Sequence, residues 1–263
     1  MSIRYDGATR IFSLETAHAL YQMQADRHGV LLHLYWGART DCAMDYLLQY
    51  ADRGFSGNPY TVRDDRTYSM DTLPQEYPTS GGGDYRTPAL ELLCANGSRS
   101  CELRYAGHRC EPTVFFAPSF PHVREDDETE TLEIDLRDPV IGLTVTLIYR
   151  VFPKEDAVVR SVRILNESTQ PLTLLKVASM SLDMQYGPMD VLHFHGRHCM
   201  ERIPERLRLP RGLTSFGTRR CMSSHHENPF VILADPKTGE NQGRCFGVML
   251  MDSGPPGSQR DSH

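Results

Sequence analysis

The sequence predicts a mainly β chain: a large antiparallel sandwich carrying one short helix and one long loop. Three observations lead there. Apolar and polar residues alternate in many short stretches. Turn signals such as Asn-Glu-Ser, Asp-Pro and Lys-Thr-Gly separate those stretches. A helical period occurs in one place, over residues 40–54.

In chain order, RIFSL, ALYQMQ and GVLLHLYWG read as the first strands. In TDCAMDYLLQYADRG, Met44, Leu47, Leu48 and Ala51 then fall at i, i+3, i+4 and i+7. Thr40 or Asp41 can cap that helix and Gly54 can end it. A polar stretch follows, DDRTYSMDTLPQEYPTSGGGDYRTP over residues 64–88. It lacks core-like periodicity and reads as a long ordered loop with a task. Its triple glycine suits tight turns at positive φ. CELRYAGHRC and TLEIDL continue the strands, the latter setting Leu132, Ile134 and Leu136 against acids. IGLTVTLIYRVF puts Leu143, Val145, Leu147, Tyr149 and Val151 on one face, with Thr144, Thr146 and Arg150 mostly opposing. AVVRSVRIL, the period-two run of PLTLLKVASMSLDM, PFVILAD and RCFGVMLM complete the set. One domain is expected over residues 1–254, with the loop from about 52 to 88 as an excursion and a solvated tail over 255–263.

Hydrophobic residues make up 40% of the 263 and charged ones 24%, enough to bury a core and to argue against global disorder. A net charge of −6 and the lack of a basic stripe argue against a nucleic-acid partner. The start, MSIRYDGATR, has no apolar signal-type run, and the longest apolar stretch is too short to span a bilayer as a helix, so no membrane partner is expected. Seven cysteines without a CxxC pair read as free thiols, which points to a cytoplasmic protein.

Several constellations could carry chemistry. The loop holds Asp64, Asp65, Asp71, Glu76 and Asp84, and paired carboxylates are what glycoside hydrolysis uses. Loop acids also face water or cap turns, and spacing alone does not pair any two. LHFHGRHCMER places His193 and His195 on one strand face, with His198 and Cys199 after a glycine. His225 and His226 could extend that group. A metal site needs a second ligand group at a known spacing, and none is evident, so no metal and no cofactor are expected. Trp36 can be core or a sugar-stacking face. Asp52 can accept from sugar hydroxyls and Arg66 is a rigid donor fork; equally, the two can form an ion pair that holds the loop. There is no G-x-S-x-G elbow and no phosphate-binding glycine loop.

Four stretches together resemble the N-terminal domain of bacterial α-galactosidases of glycoside hydrolase family 36. They are GVLLHLYWG; ADRGFSGNP with DDRTYSMDTLPQEYPTSGGGDYRTPALEL; DPVIGLTVTLIYRVFPKEDAVVRSVRILN; and SSHHENPFVIL. The resemblance runs to about Gly254. It implies a β-supersandwich that continues past this chain, a downstream (β/α)8 barrel supplying both catalytic aspartates, and therefore no catalytic residue here. It implies retaining hydrolysis of terminal α-galactosides such as melibiose or raffinose by the intact protein, and inactivity of this piece alone. By the same resemblance, Asp52 and Arg66 contact α-galactoside sugar in an adjacent subunit of a homotetramer. His198 stands where many members carry a tryptophan. The rival reading is a stand-alone carbohydrate-binding or interaction module without catalysis; a metal enzyme using His193, His195 and His198 is a third.

Overall fold

The computed structural model describes residues 2–52, 54, 58, 62, 64–111, 128–184, 187–218 and 226–251. The expected tail over 255–263, His225 and Cys221 lie outside these residues. The chain divides into two compact units, Met1–Phe115 with Glu125–Met184, and Phe116–Arg124 with Gln185–His263.

The first unit is an antiparallel β-sandwich. One sheet runs in the order β1 (Ile3–Asp6), β2 (Ile11–Glu15), β3 (Ala19–Ala25), β4 (Leu31–Ala38). The other runs β6 (Arg104–Glu111), β7 (Glu130–Asp138), β8 (Leu143–Phe152), β9 (Ala157–Asn166). A two-stranded pair joins β5 (Leu90–Cys94) to β10 (Leu172–Val177). Phe12, Leu14 and Met23 from the first sheet meet Leu132, Ile134, Val145, Leu147 and Tyr149 from the second, with Leu90 and Leu92 of β5 in the same core. Burying such side chains contributes roughly 1.5–3 kcal/mol each. Trp36 packs against this core while remaining partly exposed. All ten residues of β8 are buried, so its polar face is covered as well. There Thr146 donates to Asp135, and Thr144 donates to Glu167.

Strands β2 to β4 of the first sheet are largely buried on both faces, while the edge strand β1 exposes Arg4 and Asp6. Leu31 joins the sandwich core, whereas Leu32 of the same strand meets Val62, Tyr68, Met70 and Leu73. Val62, Tyr68, Met70 and Leu73 thus form a third layer over the sheet's outer face. That explains the continuous buried run Val30 to Leu34, apolar except for His33.

The helix expected over 40–54 is not formed; one 3-10 turn, Asp45–Leu47, replaces it. The Gln22 side chain grips the segment at two points. Its Nε2 donates to the Cys42 carbonyl (3.3 Å) and its Oε1 accepts from the Met44 amide (3.0 Å). Met44 is thereby drawn onto Ile11 and Leu34, with Leu47 and Leu48 beside it. The apolar spacing was real, but the tether to β3 outweighs a short helix's own weak stability. The last predicted strand of this unit also shortens. β10 ends at Val177, after a bulge at Leu174–Lys176, where Lys176 turns to donate to the Pro88 carbonyl.

The second unit holds one antiparallel sheet, ordered β12 (Met200–Arg208), β11 (Asp190–Arg197), β13 (Glu227–Ala234), β14 (Cys245–Met249). Val191, His193 and Phe246 are its buried side chains on one face, with Phe216 laid on the His193 ring. In β12 every residue is exposed, so the strand carries no burial alternation.

Candidate functional site

The stretch 64–88 is rooted far more deeply than a polar loop should be. Residues 73–79 are all buried. The His33 amide donates to the Pro74 carbonyl (2.6 Å), and the Glu76 amide donates to the Leu31 carbonyl (2.9 Å), so 74–76 lies along β4 as a short extra strand. This covers what would be an open sheet edge.

Glu76 is the anchor. Its side chain is 0% exposed. Tyr21 Oη (2.5 Å) and Tyr149 Oη (2.8 Å) both donate to its Oε1, and Arg160 Nη2 lies 3.0 Å from the same atom. His33 Nδ1 stands 3.4 Å from Oε2 but is not aligned as a hydrogen bond. The partners come from β3, β4, β8 and β9, so one carboxylate ties the loop to both sheets of the sandwich. Burial opposes ionisation of Glu76, but Arg160, His33 and Tyr21 outweigh it and hold the carboxyl below its ordinary range. Burial raises the Tyr21 and Tyr149 hydroxyls, keeping both protonated as donors.

Arg86 fastens the far end. Its guanidinium donates to the Leu73 carbonyl (2.7 Å), the Met70 carbonyl (3.1 Å), both Asp84 oxygens and Asp183 (2.7 Å). Gln75 donates to Asp84 as well (2.7 Å). The turn beside it needs glycine: Gly81 has φ +99°, and a Cβ there would lie 2.3 Å from Ser100 Oγ.

The near end is fixed by the β3–β4 turn. Tyr68 Oη donates to Asp26 Oδ2 (2.5 Å), while Asp26 Oδ1 accepts the His28 and Val30 amides (2.8 Å each). Asp65 accepts from Arg27 (2.7 Å) and from the Thr67 amide and hydroxyl. Asp65 and Asp84 both cap the amide two residues on, the Asx-type role expected of loop acids. Asp71 accepts from Ser69.

Between these fixed points Arg66 projects outward. The structure brings the two sequence-predicted residues together: Arg66 Nε lies 3.2 Å from Asp52 Oδ2, and Nη2 lies 3.4 Å from Oδ1. Nη2 also donates to the Gly54 carbonyl (3.1 Å), and Asp52 Oδ1 accepts the Gly54 amide (2.8 Å). The side chains are 65% and 45% exposed. An ion pair so open to water stabilises the fold little. It does hold a donor fork and a carboxylate side by side at the surface, with open valences on both. Of the two arginines in 64–88, Arg86 is consumed by structure, whereas the Arg66 side chain stays largely in water.

The histidines come together only in part. His193 and His195 share a face of β11, and both approach Glu205 of β12, at 3.2 and 3.4 Å. His193 Nδ1 has Glu227 at 3.9 Å. His198 sits exposed in the β11–β12 turn, away from this group. Among the described residues no group of three His, Cys, Asp or Glu side chains could hold a metal ion.

Sequence reasoning missed Glu76, which it grouped with the solvated acids. The signal was in the strands. Arg160 has the same parity as Val158, Val162 and Ile164, which pack on the core. A cation at a core-facing position calls for a buried anion.

The family model for the glycosyl hydrolase family 36 N-terminal domain matches residues 29–255. The bifunctional α-galactosidase/sucrose kinase AgaSK of Mediterraneibacter gnavus is 47% identical over 255 residues, covering 97% of this chain and 27% of that protein. The solved galactosidase domain of AgaSK superposes with a TM-score of 0.89 at 48% identity, over 93% of this chain and 34% of that one. A doubly substituted form of the α-galactosidase AgaA of Geobacillus stearothermophilus, solved in complex with raffinose, gives a TM-score of 0.85 at 39% identity, over 90% and 33%. The chain therefore spans about a third or less of these relatives' own length.

Proposed function

The chain belongs to the glycosyl hydrolase family 36 N-terminal domains, and from that premise we propose that it is the substrate-recognition and assembly part of an α-galactosidase. The reaction is retaining hydrolysis of terminal α-galactosyl residues in galacto-oligosaccharides, proceeding through a glycosyl-enzyme intermediate. Its catalytic carboxylates belong to the part of such enzymes that this chain does not span. The chain's contribution is to binding: Asp52 accepts from sugar hydroxyls, and Arg66 donates to sugar oxygens in the active site of a neighbouring copy within a homotetramer. The chain carries no cofactor or metal of its own in this role.

One observation carries the reading. The exposed Asp52–Arg66 pair stands on a loop whose roots are locked at Glu76, Arg86 and Tyr68. A rigid mount under an open polar pair is what positioning a substrate requires. The raffinose complex of AgaA supports the substrate class. Placement in the cytoplasm is supported by the free thiols of Cys42, Cys94, Cys101, Cys110, Cys199 and Cys245. Among the described residues no helix is long and apolar enough to cross a membrane.

The test is Arg66→Ala in the full-length enzyme. A lost charge-assisted hydrogen bond is worth about 1.5–3 kcal/mol, so kcat/KM for raffinose should fall by about tenfold or more. The loss for a small aryl α-galactoside should be smaller. Equal kinetics with raffinose before and after the substitution would remove Arg66 from the site.

A further inference from the structure

The Asp52–Arg66 pair has an aromatic neighbour whose exposure has no structural explanation. Tyr50 is 42% exposed, and its ring lies nearly parallel to that of Tyr68, at 18° with centroids 6.2 Å apart. Tyr68 is almost wholly buried and is tied to Asp26 through its hydroxyl. Tyr50 is therefore seated on an immobile ring while much of its own surface stays in water.

The register of the contacts places this ring. Tyr50 meets Tyr68, and two residues further along one segment and two residues back along the other, Asp52 meets Arg66. These two contacts hold residues 50–52 beside the turn at 65–68, where the Tyr68 amide donates to the Asp65 carbonyl (3.1 Å). An aromatic ring, a carboxylate and a guanidinium thus stand within two residues of one another at the surface, tied to the same turn.

We propose that Tyr50 is a sugar-stacking subsite, taking the apolar face of the hexopyranose next along the chain from the unit that Asp52 and Arg66 hold. This rests on the proposed role of that pair. The chemistry is that of a neutral sugar: axial C–H groups lie on the ring while hydroxyls reach the flanking polar pair. Because the ring is already fixed against Tyr68, binding loses little side-chain freedom. The subsite confers selectivity for longer α-galactosyl oligosaccharides.

The experiment compares Tyr50→Ala, Tyr50→Phe and Arg66→Ala in the full-length enzyme, with raffinose and with an aryl α-galactoside. Stacking of this kind supports a KM increase of about fivefold. We expect Tyr50→Ala to raise KM for raffinose by that factor relative to its effect on the aryl substrate, with kcat little changed. Tyr50→Phe, which keeps the ring, should restore the raffinose KM. If Arg66→Ala raises the raffinose KM and Tyr50→Ala does not, the subsite is overturned and the Asp52–Arg66 reading stands. If neither substitution acts, both fall. If Tyr50→Ala impairs the two substrates equally and lowers the melting temperature, the ring is only a prop for the fold and the subsite is again overturned.

Discussion

Taking the Glu76 carboxylate and the Arg160 guanidinium out of water costs several kcal/mol per ion, and their attraction offsets this only when both are well bonded. Here Tyr21 and Tyr149 complete the bonding, and the pair sits where the loop base meets both sheets. Removing one member leaves the other buried with its charge uncompensated. Glu76→Gln should therefore lose about 3 kcal/mol or more in urea unfolding of the chain. The pH dependence gives a second reading of the same residue. The folded carboxyl titrates below the ordinary value of 4.5, because Arg160, His33 and Tyr21 outweigh the burial that would raise it. Its stabilisation is complete above the unfolded value and is lost as pH falls toward the folded one. The stability gap between wild type and Glu76→Gln should narrow once the pH drops below about 4.5. A gap that stays constant into stronger acid would mean that shape, rather than charge, holds the loop.

At the scale of elements, the stretch 64–88 behaves as a third layer and a spare strand more than as a loop. Its turn at Gly81 sets the path back toward β5. Gly81→Ala combines a left-handed backbone with a clash against Ser100 and should cost about 2 kcal/mol. Gly82→Ala, with open space around the added methyl, should cost under about 1 kcal/mol in the same urea melts. Similar losses at both positions would show that the turn tolerates a side chain at Gly81. Strands with alternating faces, such as β7 and β8, were legible from the residues alone. β12 was not, because Met200–Arg208 is exposed throughout and offers no period to read. The helix over 40–54 misled because the 3.6-residue spacing of Met44, Leu47 and Leu48 fits a chain held on a sheet by Gln22 equally well. The Asp52–Arg66 pair was found through family resemblance. Its local spacing allowed an ion pair but said nothing of exposure, which depends on the distant anchors at Glu76 and Arg86.

At the scale of the whole chain, the first unit is a β-sandwich, and the proposed function gives its surface part of a binding site. The proposed reaction needs carboxylates on both sides of a glycosidic bond, and the loop acids with observed partners are used to hold the loop: Glu76 and Asp84 at its base, Asp65 and Asp71 in its turns. Under the proposed function, what the chain adds is reach, through Asp52 and Arg66, toward a site completed by another copy. That claim is tested most directly by mixing two inactive or impaired full-length enzymes and allowing their subunits to exchange. One carries Arg66→Ala with its catalytic domain intact; the other keeps Arg66 but has its catalytic nucleophile disabled. If Arg66 serves a neighbour's active site, the mixture gains raffinose turnover above the sum of the separate proteins. If subunits exchange and no gain appears, Arg66 does not act across the interface, and the central claim is wrong.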